Sequence, residues 1–127
     1  MSLLIKNTTI LTMDSKEPEF QEGNLGVKGN RIVFIGDIPD NFKAVTVIDG
    51  TGKIVLPGLV NSHSHIAMSL LRHYADDLPF WTWLNDRIMP LEHKLTGSDV
   101  YIGSLLSIAE MIRSGITCFA DMYFFVD

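Results

Sequence analysis

The sequence predicts an α/β fold built from two unlike pieces. Three observations predict it. Up to about Leu56, short β-type runs alternate with tight polar turns. After Pro57 the pattern becomes strand, helical segments, strand over some 65 residues, the layout of a βαβ unit with an elaborated crossover. Where the second piece begins, an apolar run ends in His63-Ser64-His65, which puts metal-competent side chains at the end of a strand. The expected division is 1–56 for the strand-rich piece and 57–127 for the strand–helix–strand piece.

The first piece reads as follows. Leu3–Met13 alternates around Thr and Ile, as a strand does. Asn24–Lys28 and Arg31–Ile35 flank Gly29-Asn30, a hairpin signal in which both central turn residues take positive φ. Gly36 and Asp37 close that strand. Val45–Ile48 and Lys53–Leu56 flank the turn Asp49-Gly50-Thr51-Gly52. Several short strands with polar turns indicate a β-sandwich or part of one.

In the second piece Leu59–His63 is a short strand, entered through Pro57-Gly58. Ile66, Leu70 and Tyr74 are four apart, which predicts a short helix over Ile66–Tyr74. Asp76, Asp77 and Pro79 predict a break, then a helix start with a carboxylate cap and a proline in the first turn. Phe80–Ile88 reads as helix until Pro90 interrupts it, and Leu91–Leu95 as a short turn. The strongest helix is Ser98–Ser114. Thr96 and Asp99 have capping-box spacing, and Ile102, Leu105, Leu106, Ala109 and Ile112 form one apolar face. Gly115 suits the left-handed residue that ends a helix. Ile116–Tyr123 then resumes a β pattern.

Composition narrows the function classes. The 127 residues are 46% hydrophobic and 20% charged, enough apolar material for a core and too much for a disordered chain. Ten Lys and Arg against fifteen Asp and Glu give a net charge of −5 with no basic cluster, which argues against nucleic acid as a partner. No apolar stretch is long enough to span a membrane. The start Met1-Ser2-Leu3-Leu4 lacks the basic beginning of a signal peptide. Cys118 is the one cysteine, so neither an internal disulfide nor a Cys-based zinc site is expected, and a reducing, cytoplasmic setting fits best.

The chemistry concentrates at His63 and His65. Alternate residues of a strand point the same way, so the two imidazoles can reach one ion. Spacing alone favours a polar strand end at a surface; the apolar strand, the Pro57-Gly58 entry and the helix that follows raise the metal reading. A catalytic zinc site also has about three protein ligands, and the pair supplies two. His73 and His93 fall in helical or turn segments and read as surface histidines.

The stretch from Gly50 to Asp127 resembles the beginning of the amidohydrolase superfamily. Within it, the resemblance is closest to the branch of S-adenosylhomocysteine and 5′-methylthioadenosine deaminases and triazine-type chlorohydrolases. It is carried by Asp49-Gly50, by Pro57-Gly58-Leu59-Val60-Asn61-Ser62-His63-Ser64-His65, and by Leu70-Leu71-Arg72. Asp77-Leu78-Pro79-Phe80, Trp83-Leu84, Met89-Pro90-Leu91-Glu92, Gly115-Ile116-Thr117 and Phe119-Ala120-Asp121-Met122-Tyr123 extend it. The His-X-His element is superfamily-wide; the Trp83 and Glu92 segments are more specific to the deaminase branch.

The resemblance implies a metal-dependent (β/α)8 barrel hydrolase, with residues 1–56 in a composite β-sandwich domain and 57–127 as the first strand, helices and second strand of the barrel. A whole barrel needs about 250 residues, so the barrel is incomplete in this chain. His63 and His65 would be the first two ligands of one divalent metal, zinc before iron or manganese. Glu92 would accept hydrogen bonds from ribose hydroxyls, and Trp83 would line the pocket. Trp81 carries no such implication and reads as packing. Met122 and Tyr123 would stand at the pocket wall. The implied reaction is hydrolytic deamination of an adenosine-type small molecule by water, with no membrane or nucleic acid involved and a homo-oligomer allowed. No catalytic proton-transfer residue is assignable before Asp127.

Three readings stand at this point. The chain is the N-terminal part of a longer deaminase, which the uncapped, apolar Phe124-Phe125-Val126-Asp127 favours. It is a non-catalytic or assembly module. Or its parent acts on a guanine, a triazine chloride or a cyclic amide.

Overall fold

The computed structural model describes residues 1–14 and 20–123. The expectation drawn from Phe124–Asp127 lies outside them. The chain divides into two compact units, Met1–Pro57 and Gly58–Asp127.

The first unit is one five-stranded sheet. β1 (Ser2–Leu11) pairs antiparallel with β2 (Phe20–Lys28), and β2 with β3 (Arg31–Gly36). β4 (Thr46–Asp49) and β5 (Ile54–Val55) both run parallel to β1, paired with Leu3–Lys6 and with Thr9–Ile10 respectively. The Asp49–Gly52 turn therefore joins two strands lying in succession along β1. An Asp49 carboxylate oxygen accepts from the Thr51 N–H at 3.1 Å and its hydroxyl at 2.7 Å, which holds the turn. Leu4, Thr8, Ile10 and Leu25 are buried. The hairpin forms where expected, but only Gly29 of its turn takes positive φ (64°). Asn30 does not, so the turn follows the pattern that asks for glycine at the first central position alone.

The second unit is built on two parallel strands, β6 (Leu59–Ser64) and β7 (Ile116–Asp121). Between them the chain forms a 3₁₀ helix (Ile66–Leu71), α1 (Phe80–Thr82), a π-helical stretch (Trp83–Ile88), α2 (Met89–Glu92) and α3 (Gly97–Arg113). This is the expected βαβ unit, with three corrections inside the crossover.

First, Ile66–Leu71 is 3₁₀ rather than α. It buries Ala67 and Leu71, and leaves Leu70 and Tyr74 largely exposed. The chain then turns at His73, whose φ is 62°. Second, no carboxylate caps α1. Asp76 is engaged by His73 Nδ1 at 3.0 Å, Asp77 sits at φ 62°, and Pro79 itself is the capping residue. Third, Pro90 does not stop the helix. The preceding residues widen into a π-turn, and Met89 N–H reaches back five residues to the Leu84 carbonyl. The α ladder is thus already interrupted where proline has no N–H to offer. Trp81, expected to pack, is 70% exposed; its described ring contact is an edge-on one with Phe80 at 5.0 Å.

α3 forms where expected, to within a residue at each end. Its capping box forms as expected: the Asp99 N–H donates to the Thr96 hydroxyl oxygen, and the Thr96 N–H donates to the Asp99 carboxylate at 2.8 Å. Gly115 ends it at φ 81°. Yet Ile102, Leu105, Leu106, Ala109 and Ile112 are all exposed. The helix instead seats Gly103, Ser107 and Glu110 on the 3₁₀ segment. Ser69 Oγ donates to the Gly103 carbonyl and Ser107 Oγ to the Ile66 carbonyl, each at 2.7 Å. Arg72 grips Glu110 through two nitrogens, at 3.0 and 2.8 Å. Periodicity located the apolar face correctly, but that face has no cover among the described residues.

Candidate metal centre

Parallel strands bring their C-terminal ends to the same side, and α/β sheets collect ligands there. The β6–β7 ladder is irregular in a way that matters at that end. Leu59 pairs with Ile116 and Val60 with Cys118, so β7 carries one extra residue there. Asn61 pairs with Phe119 and Ser64 with Asp121, so the extra residue now lies on β6, at Ser62–His63. The two irregularities offset each other. The second is a bulge immediately before the histidines, a feature that re-aims side chains.

Ser64 is buried, while His63 and His65 on either side of it are exposed. The alternation expected from sequence thus delivers both imidazoles to one side. Their ring centroids are 4.9 Å apart and their planes nearly perpendicular, at 89°. The His63 N–H donates to Asn61 Oδ1 at 3.2 Å, a side-chain bond that takes the place of a ladder bond across the bulge.

The residues around His65 are tied to the end of β7. Ser64 Oγ donates to the Ala120 carbonyl at 2.8 Å, and the Met122 N–H donates to the Ser64 carbonyl at 2.9 Å. Asp121 Oδ1 accepts from the Ile66 N–H at 3.0 Å and lies 3.4 Å from Ser64 Oγ. His65 Nδ1 meets the Met122 carbonyl oxygen. A carbonyl only accepts, so Nδ1 carries the proton of the neutral ring. That leaves the Nε2 lone pair available, the arrangement in which a metal-binding histidine donates its other nitrogen to a carbonyl.

The donor set fits a divalent ion in chemistry: two imidazoles close together, one with its tautomer fixed. It does not complete a site. Among the described residues no group of three or more His, Cys, Asp and Glu side chains is placed to hold a metal. His73 and His93 are exposed, and their ring nitrogens meet local partners, Asp76 and the Met89 carbonyl respectively.

The other expected site residues fall into two groups. Trp83 is half-buried and opens the π-turn; together with His65, Met68, Arg72, His73 and Ile88 it lines a cavity of about 410 Å³. Glu92, at the end of α2, is half-buried and faces Tyr123. The Tyr123 hydroxyl is buried. Burial first, then the charge of Glu92, then the charge of Asp121, push the phenol well above its ordinary value. Met122 serves through its backbone; its side chain is 62% exposed. Sequence reasoning gave no role to Asp121 or Ser64. The only local signal was that Ser64 stands between two outward histidines and must therefore turn inward.

Residues 54–127 match the model of the amidohydrolase family. Over all 127 residues the chain is 53% identical to a 5-methylthioadenosine/S-adenosylhomocysteine deaminase of Thermoanaerobacter pseudethanolicus, covering 30% of that protein. It is 50% identical over 98% of its length to a 5′-deoxyadenosine deaminase of Methanosarcina mazei, covering 29% of that protein. Among solved structures, a zinc-bound adenosine deaminase from Xanthomonas campestris superposes on 97% of the chain with a TM-score of 0.87 at 35% identity, the match covering 29% of that protein. The chain thus spans about three-tenths of the length of the relatives it matches. A family match across more than half of the sequence, seated on the strand pair that carries His63 and His65, makes the chain a member of the amidohydrolase family.

Proposed function

We propose that this chain supplies the first two metal ligands and a substrate-binding carboxylate of a metal-dependent deaminase of adenosine-type molecules. The substrate class is S-adenosylhomocysteine and 5′-methylthioadenosine. The observation that carries the reading is the His63–His65 pair at the end of a parallel strand, with His65 held by the Met122 carbonyl. The names borne by relatives at 53% and 50% identity support the substrate class.

In this reading residues 1–56 belong to a composite β-sandwich domain, and residues 57–127 open a (β/α)8 barrel. The exposed apolar face of α3, with Val60 at 69% exposure on β6, suits a unit that later barrel elements cover. Those elements also provide the missing ligand and the groups that move protons.

His63 and His65 would hold the ion, zinc in preference to iron or manganese, as the zinc in the Xanthomonas structure supports. Such an ion, when bound, supplies water activated for attack at neutral pH. The net reaction replaces the exocyclic amine on the purine ring by oxygen: water is consumed and ammonia leaves. The Glu92 carboxylate accepts from two neighbouring ribose hydroxyls, as an ionised acid can. Trp83 gives the substrate an apolar wall. The lone cysteine supports a reducing, cytoplasmic setting.

The test is an ultraviolet assay of the full-length protein with S-adenosylhomocysteine, 5′-methylthioadenosine and 5′-deoxyadenosine. Conversion of the adenine to the hypoxanthine spectrum is expected, with Glu92→Gln raising KM at least tenfold for ribose-bearing substrates. No spectral change with any adenosine derivative overturns the substrate class.

A further inference from the structure

Reading His63 and His65 as ligands leaves Asp121 without a role, yet its carboxylate holds the residue that follows His65. The β6–β7 ladder loses its regular register between Asn61 and Ser64, just where the histidines must be aimed. A bulged segment leaves backbone groups that ladder bonds no longer fix. Past the bulge, the chain is re-anchored by the end of β7. Two of the anchors are backbone carbonyls, that of Ala120 in β7 and that of Met122 just past it, and a third is the Met122 N–H. The remaining anchor is a side chain: Asp121 Oδ1 accepts from the Ile66 N–H at 3.0 Å and lies 3.4 Å from the Ser64 hydroxyl. Ser64 and Ile66 are the two residues on either side of His65.

We propose that Asp121 is a positioning residue for the metal-ligand segment, its carboxylate holding the Ile66 N–H directly after His65 while the Ala120 carbonyl holds the Ser64 hydroxyl directly before it, so that the ring keeps its bond to Met122 and its free Nε2. The inference rests on the reading of the histidines as metal ligands. A carboxylate serves here because its charge strengthens the bond it accepts from the Ile66 N–H. Substitutions of outer-shell partners of this kind typically cost about 10–100-fold in metal affinity.

The test is made on the full-length protein stripped of metal and titrated with Co²⁺, whose visible spectrum reports ligand geometry. Asp121→Asn keeps an acceptor oxygen in place and should bind Co²⁺ with an affinity and spectrum close to the original. Asp121→Ala should lose at least tenfold in affinity and alter the spectrum. Asp121→Glu, which keeps the charge but displaces the oxygens by one methylene, should be folded and fall between them; it decides the matter if the alanine variant does not fold. Glu and Ala variants with the original affinity and spectrum would overturn the proposal. Failure of the underlying reading shows separately, as Co²⁺ binding that survives His63→Ala and His65→Ala intact.

Discussion

The His65 ring donates its Nδ1 proton to the backbone carbonyl of Met122, 57 residues further along the chain. A backbone acceptor is not removed by side-chain substitution, so the tautomer is built into the strand pairing. The expected consequence is that the neutral ring keeps its proton on Nδ1 and presents Nε2 for binding. Nitrogen-15 shifts of the histidine rings in the metal-free full-length protein check this. His63→Ala and His65→Ala should each lower bound metal to a small fraction of the original. Metal content that does not change in either variant removes the pair from the site.

Gly103 carries the contact between α3 and the 3₁₀ segment. A β-carbon there would lie 2.5 Å from the Ala67 carbonyl oxygen and 3.1 Å from Leu70 Cγ. Helix propensity favours Gly103→Ala by about 1 kcal/mol. Overpacking against backbone costs about 1–3 kcal/mol. The clash should win, with a net loss of about 1 kcal/mol or more in chemical denaturation of the full-length protein. Unchanged or increased stability would show that α3 does not seat on this face.

Acid should loosen the start of α3. The Thr96 hydroxyl, then the Thr96 N–H, hold the Asp99 carboxyl below its usual range, and Arg72 does the same for Glu110. Depressed acids stabilise the fold above their unfolded values, about 4, and that stabilisation is lost as pH falls through the lower folded values. Helicity by circular dichroism, followed downward from about pH 5, should fall less steeply in Asp99→Asn than in the original. At neutral pH Thr96→Ala should cost about 1 kcal/mol, the usual value for a lost cap.

Tyr123 acts at the other end of the pH scale. Its phenol is raised, so below about pH 10 it is protonated whether the chain is folded or unfolded. Above that, the unfolded chain ionises and the folded one does not, and stability is lost as pH rises toward the folded value. Urea denaturation across the alkaline range should show this loss, and Tyr123→Phe should lessen it. Phenolate absorbance attributable to Tyr123 at an ordinary phenol pH in the folded protein would disprove the burial of its hydroxyl.

Much of this was legible in the residues. The apolar run entered through Pro57-Gly58 marked a strand over Leu59–His63, and two-residue spacing put His63 and His65 on one side. The Thr96–Asp99 spacing marked the start of α3, and Gly115 its end. Each rests on interactions a few residues apart, which sequence spacing encodes directly. The stretch around Pro90 misled for the same reason: proline ends an α ladder locally, but a π-turn just before it lets the helix continue.

What only the tertiary structure decided are the pairings across long stretches of chain. Periodicity told which face of α3 is apolar, but not that Gly103, Ser107 and Glu110 are the residues it sets against its neighbour. The contacts of Asp121 with Ser64 and Ile66, of Met122 with His65, and of Tyr123 with Glu92 follow from the register of β7 against β6 and from the path of the crossover. One extra residue on either strand shifts all of them, and the spacing of neighbouring residues carries no record of where a bulge falls. The sequence by itself determined which side chains could hold a metal; the strand register determined which groups hold those side chains still.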